Sequence, residues 1–491
     1  MRIARLATLV FALLALLGSS VAASGFENTG LGTTARGMGG AFRAVANDWT
    51  AAYYNPAGYA FIVDNQVGGA LSLFHLRNEI TPDYAATDNF GNEYGWGIVN
   101  GQTVYNFHRI LNNPSGGLIL RTPLWGETVF GLSIYEPFDQ SIDWRLYALD
   151  GSFMRAYNPT VIGTLEMPSD HYKNDLDVVA FQLTVAREYS DSKLAVGLGL
   201  QLLRGDLRYM DLVFRDNPME GNVSIRPRDM VPEFTDNMGS GWGFGVRAGV
   251  LWKAHEMFDV GVSAYVPSNI TIKGDTKFDF IMPYIEPNQR ESQATDPDSL
   301  FSNGEIKTFD SQFETELKLP ASFGLGVAFH PNERLTVAVD AEYTLWSVYD
   351  GLAFTYTDFI GVGDVVPDWF KQDLTRPVEW DDAGKVALGL TYDLYPQLTL
   401  IAGGSADQSP CRNSTEFTPQ FMDLGTKYGI SGGATFHSNR WDLGVITSYT
   451  DYPDINLKGL TDINNDDIYD NFPGDYKAAT YETVLSLAYR F

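Results

Sequence analysis

Alternation of apolar and polar residues with a period of two recurs along this 491-residue chain and restricts its fold more than any other feature. In the closing stretch TYETVLSLAYRF, most aromatic and aliphatic side chains fall on one face of an extended strand, whereas Glu482, Ser486 and Arg490 fall on the other. A strand with one apolar and one wet face is typical of a wall that separates lipid from a polar lumen. A large soluble β protein is the alternative.

The same alternation returns in many other stretches. Clear examples are WGFGVRAGVLW (242–252), SFGLGVAF (322–329) and KVALGLTYDLY (385–395), in which apolar residues face away from glycines and charged residues. With less regular segments included, the chain contains about fourteen candidate strands. Several of them are separated by short turns such as KAHEM, HPNE and HSNR, which indicates antiparallel hairpins.

The connections between the candidate strands fall into two length classes. Besides the short turns, long segments rich in Asp, Asn and Pro lie near residues 137–176, 206–240, 267–311, 347–382, 406–426 and 452–479. Short turns on one side and long acidic loops on the other are typical of an outer-membrane barrel whose long loops lie outside the cell. The sequence therefore predicts an all-β membrane protein, a transmembrane antiparallel β-barrel of about 14 strands.

The N-terminus predicts export from the cytoplasm. Arg2 and Arg5 precede the apolar run LATLVFALLALL, and the small residues GSSVAAS follow, so residues 1–23 are interpreted as a signal peptide rather than a retained anchor helix. Loss of these two positive charges changes the formal net charge from −27 to −29, which disfavours nucleic acid and anionic membrane surfaces as partners. The single cysteine, Cys411, excludes an internal disulfide and a cysteine-based metal cluster. No cofactor and no metal is predicted.

A compact segment separates the signal peptide from the first strand. Residues 24–62 contain a glycine-rich stretch, the helix-like AFRAVAND and then YYNPAGYA, and they are too few for a domain and too apolar for a free tail. We expect them to form a hatch inside a barrel built by residues 63–491. The inward faces of the strands leave room for such a hatch because they are rich in glycine, although strand glycines also ease bends and close packing. The inward glycines are Gly197, Gly199, Gly243, Gly245, Gly249, Gly261, Gly324, Gly326 and Gly389.

The stretch GLGTTARGMGGAFRAVANDWTAAYYNPAGYA resembles the N-terminal signature of the FadL/TodX family, outer-membrane channels for long-chain fatty acids and other hydrophobic compounds. LPASFGLGVAFHPNERLTVAVDAEYTLWS, WDDAGKVALGLTYDLYPQLTLIAGGSADQSP and the closing LSLAYRF add to the resemblance. The resemblance implies a barrel of about fourteen strands plugged by an N-terminal hatch. The implied hatch and gating residues are Gly37, Gly39, Gly40, Asn55, Pro56 and Ala57.

The resemblance also implies a function and a location. It implies diffusion-driven uptake of long-chain fatty acids or similar hydrophobic molecules across the outer membrane of a Gram-negative bacterium, gated by the hatch, with escape through a kinked-strand opening in the wall. Uptake of aromatic hydrocarbons by the same route is the alternative. Tyr489 and Phe491 resemble the C-terminal signal that the outer-membrane assembly machinery reads. That machinery, outer-membrane lipid and lipopolysaccharide are therefore expected partners of a chain that is expected to be a monomer.

Three residues are candidates for contact with the ligand. Phe26 lies at the start of the hatch segment, and alternation predicts that Arg247 and Arg334 point into the lumen. A fatty-acid carboxylate would require such a cation near the lumen. For both arginines, a plain ion pair with Asp340, Glu342 or another acid of the lumen is the alternative.

An enzyme, for example a barrel phospholipase, and an open general porin are the competing functions. His330 and His437 fall in tight turns, where a turn role explains them better than catalysis does, and an open pore would not need a hatch. The stretch DINNDDIYD, residues 462–470, has the spacing of a calcium loop, but Asp467 stands where glycine is expected. A solvated acidic loop is therefore favoured, and Cys411, in a predicted outer loop, is interpreted as incidental.

Overall fold

The computed structural model describes residues 25–28, 30–83, 101–107, 109–121, 128–145, 172–189, 193–216, 230–282, 306–361, 368–411, 420–421, 425–457, 459 and 473–491. The predicted signal peptide and the acidic stretch 462–470 lie outside these residues. Among the described residues, no helix is long and apolar enough to cross a membrane.

Strands dominate the described part of the chain, and the helices are short. The helices are α1 (Thr33–Gly37), α2 (Ala51–Tyr54) and the 3-10 helices Pro56–Phe61, Trp346–Val348 and Asp368–Phe370. The strands are β1 (Gln66–Pro82), β2 (Val104–Tyr105), β3 (Ile110–Arg121), β4 (Thr128–Trp144), β5 (Tyr172–Tyr189), β6 (Leu194–Asp216), β7 (Met230–His255), β8 (Phe258–Pro267), β9 (Ile270–Ile281), β10 (Ile306–Leu317), β11 (Ser322–Asn332), β12 (Leu335–Thr344), β13 (Gly351–Gly361), β14 (Leu374–Pro377), β15 (Ala383–Tyr395), β16 (Leu398–Gln408), β17 (Thr426–His437), β18 (Trp441–Asp451), β19 (Ile455–Leu457) and β20 (Gly474–Arg490).

These strand segments form one closed antiparallel barrel with fourteen strands in its wall. Six wall strands consist of two segments placed end to end, namely β2 with β3, β8 with β9, β10 with β11, β12 with β13, β14 with β15, and β18 with β19. The last strand, β20, pairs with β18 on one side and with β1 on the other. Tyr489 stands opposite Val67 and Trp441 in these two ladders, so the C-terminal strand closes the barrel as predicted.

The predicted alternation corresponds to the two faces of the wall. Large apolar side chains such as Leu200 and Phe244 are exposed on the outer face, with 52% and 67% of their surface accessible. Polar side chains such as Gln201, Asp340 and Glu482 are buried inside. An exposed apolar band around a polar interior is the arrangement required of a barrel that sits in lipid.

The structure corrects the predicted long loops. Within segment 206–240, β6 continues to Asp216 and β7 begins at Met230, and these two residues pair with each other. Segments 267–311 and 347–382 likewise contain β9, the start of β10, and β13 with β14. These strand extensions were not recognised in the sequence because outward residues such as Lys273 and Lys277 are polar, so the apolar half of the alternation is lost there while strand pairing continues.

Candidate functional site

The Asn-Pro-Ala motif fastens the hatch to the wall. Asn55 is fully buried, and its Nδ2 donates to Arg43 O at 2.9 Å within the hatch and to Val250 O of β7 at 3.1 Å. Its Oδ1 accepts the N–H of Ala57 at 3.2 Å, which caps the 3-10 helix that begins at Pro56. One side chain therefore links two parts of the hatch and the barrel.

Wall glycines let the hatch backbone approach this closely. A Cβ on Gly249 would overlap the Asn55 side chain, and one on Gly197 would overlap the Pro56–Ala57 peptide. Gly261, Gly324, Gly326 and Gly389 meet the hatch in the same way, whereas Gly199, Gly243 and Gly245 face side chains of the wall. Some inward glycines therefore make room for the hatch, and others allow close packing within the wall.

The predicted hatch glycines lie at the end of α1 against the opposite side of the barrel. Gly39 and Gly40 have φ values of +66° and +95°, which L side chains rarely adopt. A Cβ on Gly39 would stand 2.7 Å from Gly404 O of β16. On Gly37, a Cβ would meet Ile401 at 2.7 Å, and the carbonyl of Gly37 accepts a hydrogen bond from Ser431 of β17 at 2.8 Å. The chain can turn and pack here only without side chains.

Two hatch arginines form buried ion pairs with the wall. Arg36 of α1 pairs with Glu482 of β20, with 3.2 Å between Nε and Oε1. Arg43 pairs with Glu342 at 2.6 Å and with Asp340 at 3.4 Å, both on β12. The alternative ion pairs of Asp340 and Glu342 with Arg247 or Arg334 do not form in the described part of the chain, because Arg43 of the hatch supplies the cation. Removing one member of such a pair would leave an uncompensated buried charge.

Arg247 points into the barrel as predicted. Its side chain is 3% exposed, its Nη1 donates to Tyr53 O at 2.7 Å, and its guanidinium lies over the rings of Tyr53 and Tyr265 at 4.5 and 4.0 Å. Among the described residues, its Nε and Nη2 have no hydrogen-bond partner. Arg247 is thus a buried cation with donors to spare.

Arg334 does not point into the lumen, so the orientation predicted for it is wrong. It lies in the turn between β11 and β12 and is exposed, and its backbone N–H donates to Asn332 Oδ1 at 2.9 Å. Alternation fails at this position because Arg334 precedes the first residue of β12, and the period of two applies only within a strand.

Phe26 lies at the centre of an aromatic cluster inside the barrel. Its ring is 1% exposed and contacts Trp346, Tyr349 and Phe138 with centroid distances of 4.8, 5.2 and 5.8 Å, all edge-on. Trp380 and Phe421 complete the cluster at 6.0 and 6.1 Å. We call Phe138, Trp346, Tyr349, Trp380 and Phe421 the Phe26 cage.

Sequence reasoning found Phe26 but missed its cage. Tyr349 and Trp380 fall in a segment that was predicted to be an outer loop, where side chains were expected to meet solvent. The available signal was the density of large aromatic residues between Tyr343 and Trp380, which is unusual for a loop in water.

The wall has a gap beside this cage. β3 and β4 pair only from Gly116 opposite Ile134 to Arg121 opposite Val129. Within the described residues, no ladder joins positions 110–115 of β3 to positions 135–140 of β4. The register of β4 against β5 shifts between Tyr135 and Phe138, so β4 is irregular at the gap.

The first residues of the hatch occupy the free edge of β4. Glu27 forms a β-bridge with Phe138. The N–H of Asn28 donates to Pro137 O at 2.9 Å, and the N–H of Asp139 donates to Phe26 O at 3.0 Å. The backbone that carries the Phe26 ring is therefore the same backbone that covers the unpaired edge.

A cavity of about 120 Å³ adjoins the gap. It is lined by Phe26 and Glu27 of the hatch, Leu111 of β3, Asp139 of β4 and Lys427 of β17, among others. Burial, with a smaller contribution from Glu342, raises the pKa of the Glu27 carboxyl to about 8, while Tyr53 donates to it at 3.1 Å. The hatch therefore presents to this cavity a carboxyl that keeps its proton to a higher pH than an exposed glutamate does.

The residues that would support an enzyme have structural partners. His330 contacts Asp259 and Thr336, and His437 contacts Asp442 and Thr399, all at the turns that end the strands. The stretch GISGG, residues 429–433, fits a Gly-x-Ser-x-Gly pattern but lies within β17, not at a strand-to-helix turn.

The two C-terminal aromatics lie at one end of β20. The Tyr489 ring packs on Trp441 at 4.6 Å and on Phe491 at 6.1 Å, and Phe491 is 54% exposed. The N–H of Phe491 donates to Asn65 O at 3.0 Å, so the last residue is joined to the residue before β1. An exposed aromatic pair at a strand end suits the membrane interface. Its predicted role as an assembly signal stays a prediction.

Comparison with known proteins gives consistent matches. Residues 162–491 match the family described as outer membrane protein transport protein (OMPP1/FadL/TodX). An outer membrane protein of Neisseria meningitidis serogroup B is 21% identical over 434 residues, which cover 86% of this chain and 84% of the relative. The crystal structure of a Pseudomonas aeruginosa FadL homologue has a TM-score of 0.71 at 17% identity and covers 95% of this chain and 100% of its own. The Pseudomonas putida toluene transporter TodX has a TM-score of 0.66 at 14% identity, with 94% and 99% covered.

Proposed function

Because this chain belongs to the OMPP1/FadL/TodX family of outer-membrane transport proteins, we propose that it takes up hydrophobic small molecules by diffusion and that the hatch gates their passage. The observation that carries the proposal is the Phe26 cage, a set of buried aromatic rings beside a gap in the wall. The first residues of the hatch cover this gap. Such an arrangement suits an apolar ligand that replaces the Phe26 ring.

The driving force for entry is transfer out of water. Each methylene group gains about 0.8 kcal/mol on leaving water, and a buried aromatic ring gains more, so an apolar site collects its ligand without an energy source. The ligand would compete with Phe26 for the same rings. Displacement of Phe26 also withdraws its carbonyl from Asp139 and exposes the edge of β4. We therefore propose that ligand binding and opening of the gap beside β4 occur together.

Release requires the hatch to move away from the wall. The links that would have to break or rearrange include the Asn55 hydrogen bond to Val250 and the Arg36 ion pair with Glu482. We propose Gly37, Gly39, Gly40 and the Asn55-Pro56-Ala57 motif as the gating elements. Gly37, Gly39 and the motif lie where hatch and wall are in closest contact, and Gly40 continues the turn at a φ of +95°. The ligand can shift the equilibrium between the docked and the displaced hatch only by the difference between its binding free energies for these two states.

Two substrate classes are supported by different observations. The Phe26 cage consists of flat rings that pack edge-on or tilted against Phe26, which favours an aromatic compound. A long-chain fatty acid is the second candidate, since the spare donors of Arg247 could receive its carboxylate. Arg334 has no part in either proposal because it lies outside the lumen.

The test is uptake by cells that lack their own transporters of this family. Radiolabelled ethylbenzene and oleate would be supplied to cells with the intact chain, with Asn55-Pro56-Ala57 replaced by three glycines, or with Asn47→Gly as a control. Asn47 is an exposed asparagine of the same hatch. We expect uptake of at least one compound by the intact chain, changed by the triple replacement and unchanged by the control, at equal surface expression.

The two parts of the proposal can fail separately. Absence of uptake of both compounds at equal expression would contradict hydrophobic transport. Equal uptake by the intact chain and the triple-glycine variant would contradict gating by the motif.

A further inference from the structure

The Phe26 cage contains buried hydrogen-bond donors for which the described residues provide no acceptor. Trp346 Nε1, Trp380 Nε1 and the hydroxyl of Tyr349 are buried and have no hydrogen-bond partner in the part of the chain that the structure describes. All three belong to rings that contact Phe26, with centroids within 6.0 Å. The polar groups and the apolar contact surface therefore occupy the same small volume.

The unpaired groups continue toward Arg247. Phe138 of the cage stacks on Tyr265 at 6.3 Å, and Arg247 lies 4.0 Å over the Tyr265 ring. The Tyr265 hydroxyl and the Nε and Nη2 of Arg247 also lack partners among the described residues. Each of these side chains is at most 5% exposed, as are the three in the cage. Five neighbouring residues thus bury donors without acceptors.

Phe26 cannot explain these donors. A phenyl ring fills space but offers no oxygen or nitrogen to an N–H or O–H group. Buried polar atoms without partners are unfavourable, and six of those in the described part of the chain gather around this one site. If packing were the only requirement, phenylalanine would fill these positions without the penalty.

We infer that the Phe26 cage is built for an aromatic compound that carries an oxygen acceptor, such as a ketone, aldehyde, ester or carboxylate, and not for a plain hydrocarbon. The inference rests on the proposed function and names the substrate class of the same site. The ring of the ligand takes the place of the Phe26 ring. Its oxygen accepts hydrogen bonds from the indole N–H groups of Trp346 or Trp380, or from the Tyr349 hydroxyl. A hydrocarbon of the same shape leaves these donors unpaired.

The test compares two ligands of almost equal shape, acetophenone and ethylbenzene. Binding of each to the full chain in detergent would be measured by calorimetry, and the ratio of affinities would be compared with the ratio expected from partitioning between water and octanol. In the intact chain, Phe26 competes with the ligand for the cage and could mask binding of both compounds. The same measurement on Phe26→Ala, which removes this ring, keeps the comparison informative. We expect the intact chain or Phe26→Ala to favour acetophenone by about tenfold or more beyond partitioning.

Single-donor variants identify the source of the preference. Tyr349→Phe removes one hydroxyl, and Trp346→Phe and Trp380→Phe each remove one indole N–H. Loss of the donor that the oxygen uses should lower the ratio of acetophenone to ethylbenzene affinity by about fivefold. Tyr395→Phe makes the same chemical change at an exposed position at the end of β15 and should leave the ratio unchanged.

The outcomes separate this inference from the proposed function. Binding and uptake of ethylbenzene with an affinity ratio equal to partitioning would overturn the inference and leave hydrophobic transport in place. A preference for acetophenone that survives all three donor variants would overturn it too, since none of the cage donors would then bind the oxygen. Failure to bind or take up either compound would overturn both.

Discussion

Replacing Asn55 by alanine should loosen the hatch more than the loss of any single exposed hatch side chain. The change removes three hydrogen bonds, to Arg43 O, to Val250 O and from Ala57 N, at a residue that is fully buried. Each buried group left without a partner costs about 1 kcal/mol. Val250 also belongs to the β7 ladder, so its carbonyl loses less than the other two groups. The expected weakening of hatch docking is about 2–3 kcal/mol, or about 30- to 150-fold in the opening equilibrium.

Amide hydrogen exchange measures this opening directly. In detergent, peptides that cover the 3-10 helix Pro56–Phe61 should exchange about 30- to 150-fold faster in Asn55→Ala than in the intact chain, while peptides from β6 and β7 should not change. Asn47→Ala is the matched control, because it removes the same side chain from an exposed position of the hatch.

Two results would refute the reasoning. Equal exchange of the hatch peptides in Asn55→Ala and Asn47→Ala would mean that the Asn55 hydrogen bonds do not hold the hatch. Equal acceleration of the hatch and of β6 and β7 would mean that Asn55 stabilises the whole barrel, and the hatch would then not open as a separate unit.

Three further predictions concern the same interface. Phe26→Ala should raise the affinity for a small aromatic ligand, measured by calorimetry, because the ligand no longer displaces a buried ring. Raising the pH from about 5 to about 8 should weaken docking of the first hatch residues, measured by amide hydrogen exchange. Docking raises the pKa of Glu27 to about 8, so the docked state is favoured while Glu27 is protonated and loses this advantage as the pH rises. Glu27→Gln should remove this dependence on pH. Arg36→Met should destabilise hatch docking by about 3–5 kcal/mol because Glu482 is left buried and charged, and Arg36→Met with Glu482→Met should recover most of the loss.

The barrel could be predicted because lipid imposes a pattern on every strand it touches. Leu200, Phe244 and their equivalents had to be apolar outside, and Gln201 and Glu482 could be polar inside, so the period of two was visible in one sequence. Where a strand rises beyond the lipid this constraint ends. β9 carries Lys273 and Lys277 on its outer face, and this strand therefore looked like a loop.

The candidate site could be predicted only in part, because its residues are brought together by barrel closure. Phe26, Phe138, Trp346 and Trp380 are far apart in the chain, and no local spacing records that they meet. The same holds for Arg43, whose partners on β12 were assigned to the wrong arginines. Arg247 was placed correctly because its neighbours in β7 all follow one alternation, whereas Arg334 lies one residue before its strand begins.

The strongest link between ligand and gate is that one short backbone segment serves two purposes. Phe26 fills the cage, and the residues around it pair with β4 through the Glu27–Phe138 bridge and two hydrogen bonds, to Pro137 O and from Asp139 N. A ligand that takes the place of the Phe26 ring therefore competes with pairing at the gap. A change that strengthens this pairing must weaken binding of the ligand by the same factor. Deeper hatch contacts such as Asn55 with Val250 lie outside this segment. Under the proposed function, we therefore expect a ligand in the cage to free the edge of β4 before the rest of the hatch leaves the wall.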